Sequence, residues 1–294
     1  MNRNTIKIAW IFFALLVTNT ICISAQKISE HTLIENGQLM HGLHSYDTIS
    51  NAYSEFTSLF INELNLPGSF YNKFDSIDFV SFIYPPDSSF RLITWQARVA
   101  ESKFTYSGCL QTKDTLYVFK NREGYYNHPD FNTMELNSAN WYGCLYYNIK
   151  TFVFQKNDMH VIFGFQQPGI ASSRKIMDVL WFKQGKPILG APVFCNKKND
   201  NCVNRMVLEY SSNATVRLNY DEEYKMIIFD HLIKGSNPEF KGQMANFTDG
   251  SYEAYKMRKN GTWEYIEMLW HDKQKEPPTD KPKSSVKQRN IMGR

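Results

Sequence analysis

From Asp47 to Gly68 the apolar positions Ile49, Ala52, Tyr53, Phe56, Phe60 and Leu64 recur at spacings of three and four. That period predicts an amphipathic helix, ended by Pro67-Gly68. Asp47 is the expected cap, since its side chain can accept from a free backbone amide at the helix start. The polar face carries no basic stripe, so the helix is expected to pack on a sheet rather than lie on a membrane. Residues 26–45, ahead of it, show no clear period.

Beyond Pro85-Pro86 the pattern changes to strands. β-Branched and aromatic residues dominate residues 90–99, 103–111, 115–120, 141–156 (two strands or one bent strand), 159–166, 175–183, 203–210, 214–221 and 225–233, with turn formers between them. "QKNDMH", "KQGKP" and "YDEEYK" are short enough to join antiparallel neighbours. No long helix recurs between strands, so a parallel, doubly wound sheet is not expected. The expected fold is mainly β, a large antiparallel meander with an N-terminal amphipathic helix. It could be propeller-like, barrel-like or two packed sheets. The last strand pair, "TDGSYEAYKMRKNGTWEYIEMLW", reads as a hairpin with a three-residue Lys259-Asn260-Gly261 loop, Gly261 supplying the left-handed position. This loop pairs Met257 with Trp263, Tyr255 with Tyr265 and Lys256 with Glu264, the last as a cross-strand ion pair.

The two ends differ from the body. Arg3 and Lys7 precede an uninterrupted apolar run from Ile8 to Val17, followed by small and polar residues. This is the form of a secretory leader, with cleavage expected after Ala25, and the run is too short to span a bilayer. The domain plan is thus a signal peptide at 1–25, a helical segment at 26–74 packing on the body, an antiparallel β domain at 75–272 and a basic tail at 273–294. The chain has 294 residues and a formal charge of +4, but Lys273 to Arg294 alone holds seven basic and two acidic residues. Once leader and tail are set aside the body is slightly acidic, which argues against a nucleic-acid partner. The tail, rich in Pro, Lys and Ser, is expected to be disordered and to meet an anionic surface.

An exported body would hold four cysteines, Cys109, Cys144, Cys195 and Cys202. The short loop "CNKKNDNC" favours Cys195–Cys202, which leaves Cys109 to pair with Cys144. No Cys-x-x-Cys unit supports zinc. His41 and His44 in "HGLH" are spaced to share a metal on a helical turn, but Gly42 and the surrounding loop residues argue against it, so neither metal nor cofactor is expected.

Strong catalytic motifs are missing: there is no Gly-x-Ser-x-Gly, His-Glu-x-x-His, Walker or Gly-x-Gly-x-x-Gly pattern. Weak catalytic candidates are Asp178, Asp230 and His231. Asp178 interrupts the apolar run "KIMDVLWF" and needs a partner such as Arg174 or Arg217 if buried. With Asp230 it could form the separated carboxylate pair of a glycoside hydrolase. His231 follows Asp230 directly, and neighbours on a strand face opposite ways, so the two are not a ready dyad. Trp263 and Tyr265 are weak candidates for stacking on a sugar, against core burial as the alternative.

Taken in order, "NWYGCLYYNIK", "SSRKIMDVLWFKQGKPILGAPVF", "RMVLEYSSNATVRLNYDEEYKMIIFDHL" and "DGSYEAYKMRKNGTWEYIE" resemble a largely uncharacterised family of exported, β-rich proteins from Bacteroidetes-type bacteria. The resemblance covers most of residues 75–268 and brings no catalytic residues with it. It implies the envelope of a diderm bacterium, with the periplasm favoured over release. Two functions remain: a non-catalytic envelope protein binding a protein or glycan through its β body, or a periplasmic hydrolase of an envelope glycan.

Overall fold

The structure, a computed structural model, describes residues 30–196, 201–240 and 242–270. The expected leader with its cut after Ala25 and the basic tail from Lys273 lie outside the described residues. The chain divides into two compact units, 1–77 and 78–294.

In the first unit, helix α1 covers 30–41 and helix α2 covers Tyr46–Leu64. α2 buries Ile49, Ala52, Phe56, Phe60 and Leu64, the stripe its period describes. Its cap is Ser45 rather than Asp47: the Ser45 hydroxyl accepts from the Thr48 amide at 3.2 Å, and Asp47 stands inside the first turn. There its charge still favours the positive helix end. Phe60 packs against Phe56 at 5.2 Å and against Phe74 at 5.3 Å between ring centres. α1 was not apparent from the pattern because its buried stripe is Leu33, Asn36, Gly37 and Met40. The helical spacing is present, but half of the stripe is not apolar.

The second unit is built of three open sheets, none closed into a barrel. The first sheet runs β1 (Ser81–Ile83), β2 (Phe90–Ala100), β3 (Lys103–Thr112), β4 (Leu116–Phe119). The second runs β5 (Leu136–Asn137), β9 (Lys186–Leu189), β8 (Ser172–Lys183), β7 (Asn157–Gln166), β6 (Leu145–Phe154), and β12 (Met206–Ser211) also pairs with β8. The third runs β11 (Cys202–Val203), β10 (Phe194–Cys195), β16 (Trp263–Trp270), β15 (Gln243–Met257), β14 (Met226–Asn237), β13 (Leu218–Asp221). Pairing between these strands is antiparallel except where β10 meets β16.

The second sheet is the middle of the stack. On β7 and β8, Ile162, Ile176 and Leu180 join Phe90, Leu92, Tyr106 and Leu110 of the first sheet in one apolar layer. Their neighbours Met159, Val161, Phe163, Met177 and Val179 join Phe194, Ile227, Phe229, Tyr255 and Trp263 of the third sheet in another. Burial on both faces explains the near-continuous apolar runs of these strands, which a half-solvated strand would not show. Each large side chain so buried contributes about 1.5–3 kcal/mol.

The terminal hairpin has the expected register, with Met257 opposite Trp263 and Tyr255 opposite Tyr265. Gly261 has φ +86°, and a Cβ there would stand 2.2 Å from the Val153 carbonyl oxygen. The ion pair differs: Glu264 binds Arg258 at 3.1 Å rather than Lys256, although Lys256 stands opposite it in register.

The Cys195–Cys202 disulfide is present, joining directly opposed residues of β10 and β11. The expected Cys109–Cys144 bridge is not: both are buried free thiols. Strand alternation gives the reason. Tyr106 and Leu110 of β3 point into the layer that holds Cys144, so Cys109 points to the other face of its sheet.

Candidate functional site

Asp178 sits at the centre of β8, between Ile176 and Leu180 on the face turned to the first sheet. It has no exposed surface. Its partner is Arg205, not Arg174 or Arg217: Nε donates to Oδ2 at 2.9 Å, with both side chains fully buried. The Tyr142 hydroxyl donates to the same oxygen at 3.1 Å, and the Val179 amide donates to Oδ1 at 2.7 Å. The chain of bonds continues outward from Tyr142. Tyr146 donates to the Tyr142 hydroxyl at 3.2 Å, and the Trp141 indole donates to Tyr146 at 2.8 Å. Arg205 is held at its other nitrogens by the Phe131 carbonyl and, at 3.2 Å, by that of Leu189.

Burial pushes the Asp178 carboxyl up from its ordinary value while Arg205 opposes the rise. Burial also drives the Tyr142 and Tyr146 hydroxyls well above the normal phenol range, and lifts the Cys144 thiol in the same way. Perturbed groups often mark catalytic sites, but structural networks perturb them too. Here the carboxylate is already taken by three donors, one of them a guanidinium that binds two further carbonyls. The arrangement ties the loop at Phe131, the Trp141–Tyr146 segment, β8 and the start of β12 together, and leaves no group free to meet a substrate.

Asp230 lies elsewhere. It follows Phe229 on β14, and Phe229 points into the layer shared with the middle sheet. Asp230 therefore takes the other side of its strand, where it accepts from the Arg217 amide at 2.5 Å. Asp178 and Asp230 stand on the far sides of two packed sheets, whose spacing alone is about 10 Å. Glycoside hydrolysis needs its two carboxyls about 5–9.5 Å apart around one bond. The expected pair is not brought together.

His231 has a partner that adjacency in sequence concealed. The β14–β15 register jumps from Asp230 opposite Tyr252 to Leu232 opposite Thr248, so His231 alone faces Asp249, Gly250 and Ser251. Its Nδ1 lies 2.9 Å from Asp249 Oδ2. The Ser251 hydroxyl and amide both donate to Asp249 Oδ1, at 2.6 and 2.9 Å. These bonds, the serine's first among them, hold the Asp249 carboxyl down at about 2. A serine nucleophile would need histidine between it and the acid. Here the acid lies in the middle, an order that clamps a bulge rather than activating a hydroxyl. Gly250, at φ +84°, supplies the turn in the backbone.

Trp263 is fully buried in the layer between the second and third sheets, against Phe152 at 5.7 Å and Tyr220 at 6.1 Å. The Tyr265 ring packs tilted against Tyr255 at 5.6 Å between ring centres, and its hydroxyl donates to Glu253. Trp263 thus offers no open face to a sugar, whereas Tyr265 is half-buried and packs against the edge of the core. His44 is exposed beside Gly42, and among the described residues no group of three or more His, Cys, Asp or Glu could hold a metal ion. Among the same residues no helix is long and apolar enough to cross a membrane. Two depressions in the first unit, of about 280 and 530 Å³, are lined by groups such as Glu63, Lys73 and Asp75 in one and Gln38, His44 and Glu55 in the other.

The bulge at His231 has a larger consequence than the pair itself. Among the described residues, which end at Trp270, β16 pairs with β15 as far as Tyr252. Past the bulge, Leu232–Asn237 and Gln243–Thr248 continue as a two-stranded arm. Among the described residues the outer edge of Gln243–Thr248 has no ladder partner. β12 meets the arm through side chains, Asn246 Nδ2 to the Glu209 carbonyl at 2.7 Å and Asn237 Nδ2 to the Ser211 hydroxyl at 2.8 Å. Met244 on this edge is 67 % exposed and Ile233 behind it 45 %. Comparison with protein-family models, with curated proteins and with solved structures finds no match to this chain.

Proposed function

We propose that the chain is a non-catalytic envelope protein whose β body binds a polypeptide partner. The carrying observation is the edge of β15 from Gln243 to Thr248, which has no ladder partner among the described residues. Such an edge presents alternating amides and carbonyls, which recognise an extended backbone by adding it as a further strand. Natural edges are usually blunted by lysine, proline or a bulge. Here the bulge lies beyond the segment, and the segment itself contains neither lysine nor proline. The glycan-hydrolase reading loses its chemistry, since Asp178 is sealed in its network and Asp230 belongs to another layer. The envelope setting rests on the leader-like N-terminus and on the resemblance to exported proteins, and the basic tail would add contact with an anionic surface.

Hydrogen exchange read over 243–251 tests this. In dilute protein the outward amides of the arm exchange fast, and an envelope protein fraction slows them. Peptidoglycan and common polysaccharides neither slow them nor release soluble sugar. Sugar release, or exchange that no fraction changes, would refute the reading.

A further inference from the structure

The seam between the first and middle sheets is fastened differently along its length. Ser81 donates across it to the Tyr146 carbonyl, and the Tyr146 amide donates back to Thr94 Oγ1 at 3.0 Å. The Gln167 amide donates to the Tyr106 hydroxyl at 2.7 Å, and the Tyr117 hydroxyl to the Gly185 carbonyl at 2.9 Å. Where β2 begins, rings make the contact. Phe90 lies T-shaped against His160 of β7 at 5.0 Å and against Phe182 of β8 at 5.4 Å between ring centres. His160 shares its face of β7 with Ile162 and is only 5 % exposed. Its Nδ1 lies 2.9 Å from the Thr151 hydroxyl on β6. We propose that His160 is an acid-sensitive latch on this end of the seam: when its ring gains a proton, the loop 84–89 and the start of β2 loosen from the middle sheet.

The neutral ring suits an apolar seam with one hydroxyl beside it. The protonated ring donates from both nitrogens and carries a charge that burial penalises. Thr151 and Leu180, its neighbours on β6 and β8, and Phe90 across the seam are all uncharged. The charged groups that act on it are Asp87, in the loop before β2, and Asp158, two residues earlier on β7. Asp87 is fixed by the Ser89 amide and hydroxyl at 3.1 and 3.0 Å. Both carboxylates favour the charged ring, but burial outweighs them and holds His160 below its ordinary value. Once the seam opens, the ring returns to a solvated value of about 6.5 and binds its proton there first. The closed seam is therefore fully favoured above about pH 6.5. It weakens as pH falls from there towards the folded value, by at most about tenfold per pH unit for a single proton.

Amide exchange of the whole chain between pH 7.5 and 5, corrected for intrinsic rates, tests the latch. Protection over 84–92 should fall below pH 6.5 by up to about tenfold per unit, while 161–165 stays protected throughout. The His160 ring resonance, identified through its contacts with Phe90, should titrate below 6.5. In His160→Gln, shown to be folded by its thermal melt, the fall over 84–92 should disappear. Should that variant not fold, Asp87→Asn decides: it removes a carboxylate that favours the charged ring and should move the ring's midpoint to lower pH. A ring that titrates at 6.5 or above, or protection over 84–92 that ignores pH, overturns the latch. The same fall in folded His160→Gln, or a ring midpoint that Asp87→Asn leaves in place or raises, overturns it as well.

Discussion

Replacing Arg205 by methionine removes the guanidinium and keeps a side chain of similar length against the Phe131 ring, over which Arg205 now sits at 4.8 Å. Asp178 would retain only the Tyr142 hydroxyl and the Val179 amide, and the carbonyls of Phe131 and Leu189 would lose a donor. Breaking one side of a buried pair typically costs about 3–5 kcal/mol, because the other charge stays desolvated. In a unit of this size that corresponds to a fall of about 10 °C in Tm. The pH dependence gives a second handle. Burial already raises Asp178, and losing Arg205 removes the main opposing influence. A carboxyl raised in the folded state binds its proton more readily there than in the unfolded chain. Its favourable contribution is therefore complete below the unfolded value of about 3.9 and is lost as pH rises through the folded value. Urea titrations followed by tryptophan fluorescence should show the deficit of Arg205→Met largest at pH 7 and smaller near pH 4. Adding Asp178→Asn should recover part of it at pH 7. A deficit below about 1 kcal/mol at pH 7, or one that Asp178→Asn deepens additively, would refute the account of the network as a buried, mutually dependent pair.

Asp249→Asn should lower stability at pH 6 and lose that effect as pH falls from about 4 towards 2, since a depressed carboxyl stabilises fully above its unfolded value and loses that contribution as pH falls through its folded value; urea midpoints across this range check it. Gly261→Ala, which meets both a positive φ and the Val153 carbonyl, should cost more than about 2 kcal/mol, whereas Gly250→Ala, with open space around its Cβ, should cost about 1, both read from thermal melts. Replacing Cys195 and Cys202 by serine should cost about 2.5 kcal/mol or less, the loop-closure value for so short a ring. Alkylation at pH 8 should leave Cys109 and Cys144 unmodified in the native protein and modify both in urea, because burial raises both thiols. Neutralising the seven basic residues of 273–294 should reduce co-sedimentation with anionic vesicles at low salt and change nothing at high salt.

What could be read from the chain was what a local period records. The α2 stripe and most strand positions follow from spacing, and the Gly261 hairpin follows from turn chemistry down to its register. Long-range choices left no such trace. Arg205 precedes an apolar strand like any solvated arginine, and nothing in its neighbourhood says that it reaches Asp178. The Cys109–Cys144 expectation failed because counting cysteines ignores which face of a strand each one takes. His231 was weighed against its neighbour Asp230, whereas its true partner, Asp249, is 18 residues away across a bulge. α1 escaped because Asn36 and Gly37 hold two of its buried positions. The same limit applies to function: among the described residues the outer edge of Gln243–Thr248 meets no ladder partner, and no residue in that edge records it.

The middle sheet also sets an order on assembly. Its strands are made after those of the first sheet and before most of those of the third, so a chain emerging from its N-terminus can cover only one side of β7 and β8 at first. Met159, Val161, Phe163, Met177 and Val179 must wait for β14, β15 and finally β16, which brings Trp263. Until that last hairpin arrives, a greasy surface made of the most strand-prone residues in the protein stands uncovered, as open to a neighbouring nascent chain as to its own C-terminal strands. Fragments that stop short of Trp263 should therefore clump rather than unfold quietly, and full-length yield should depend on holding growing chains apart.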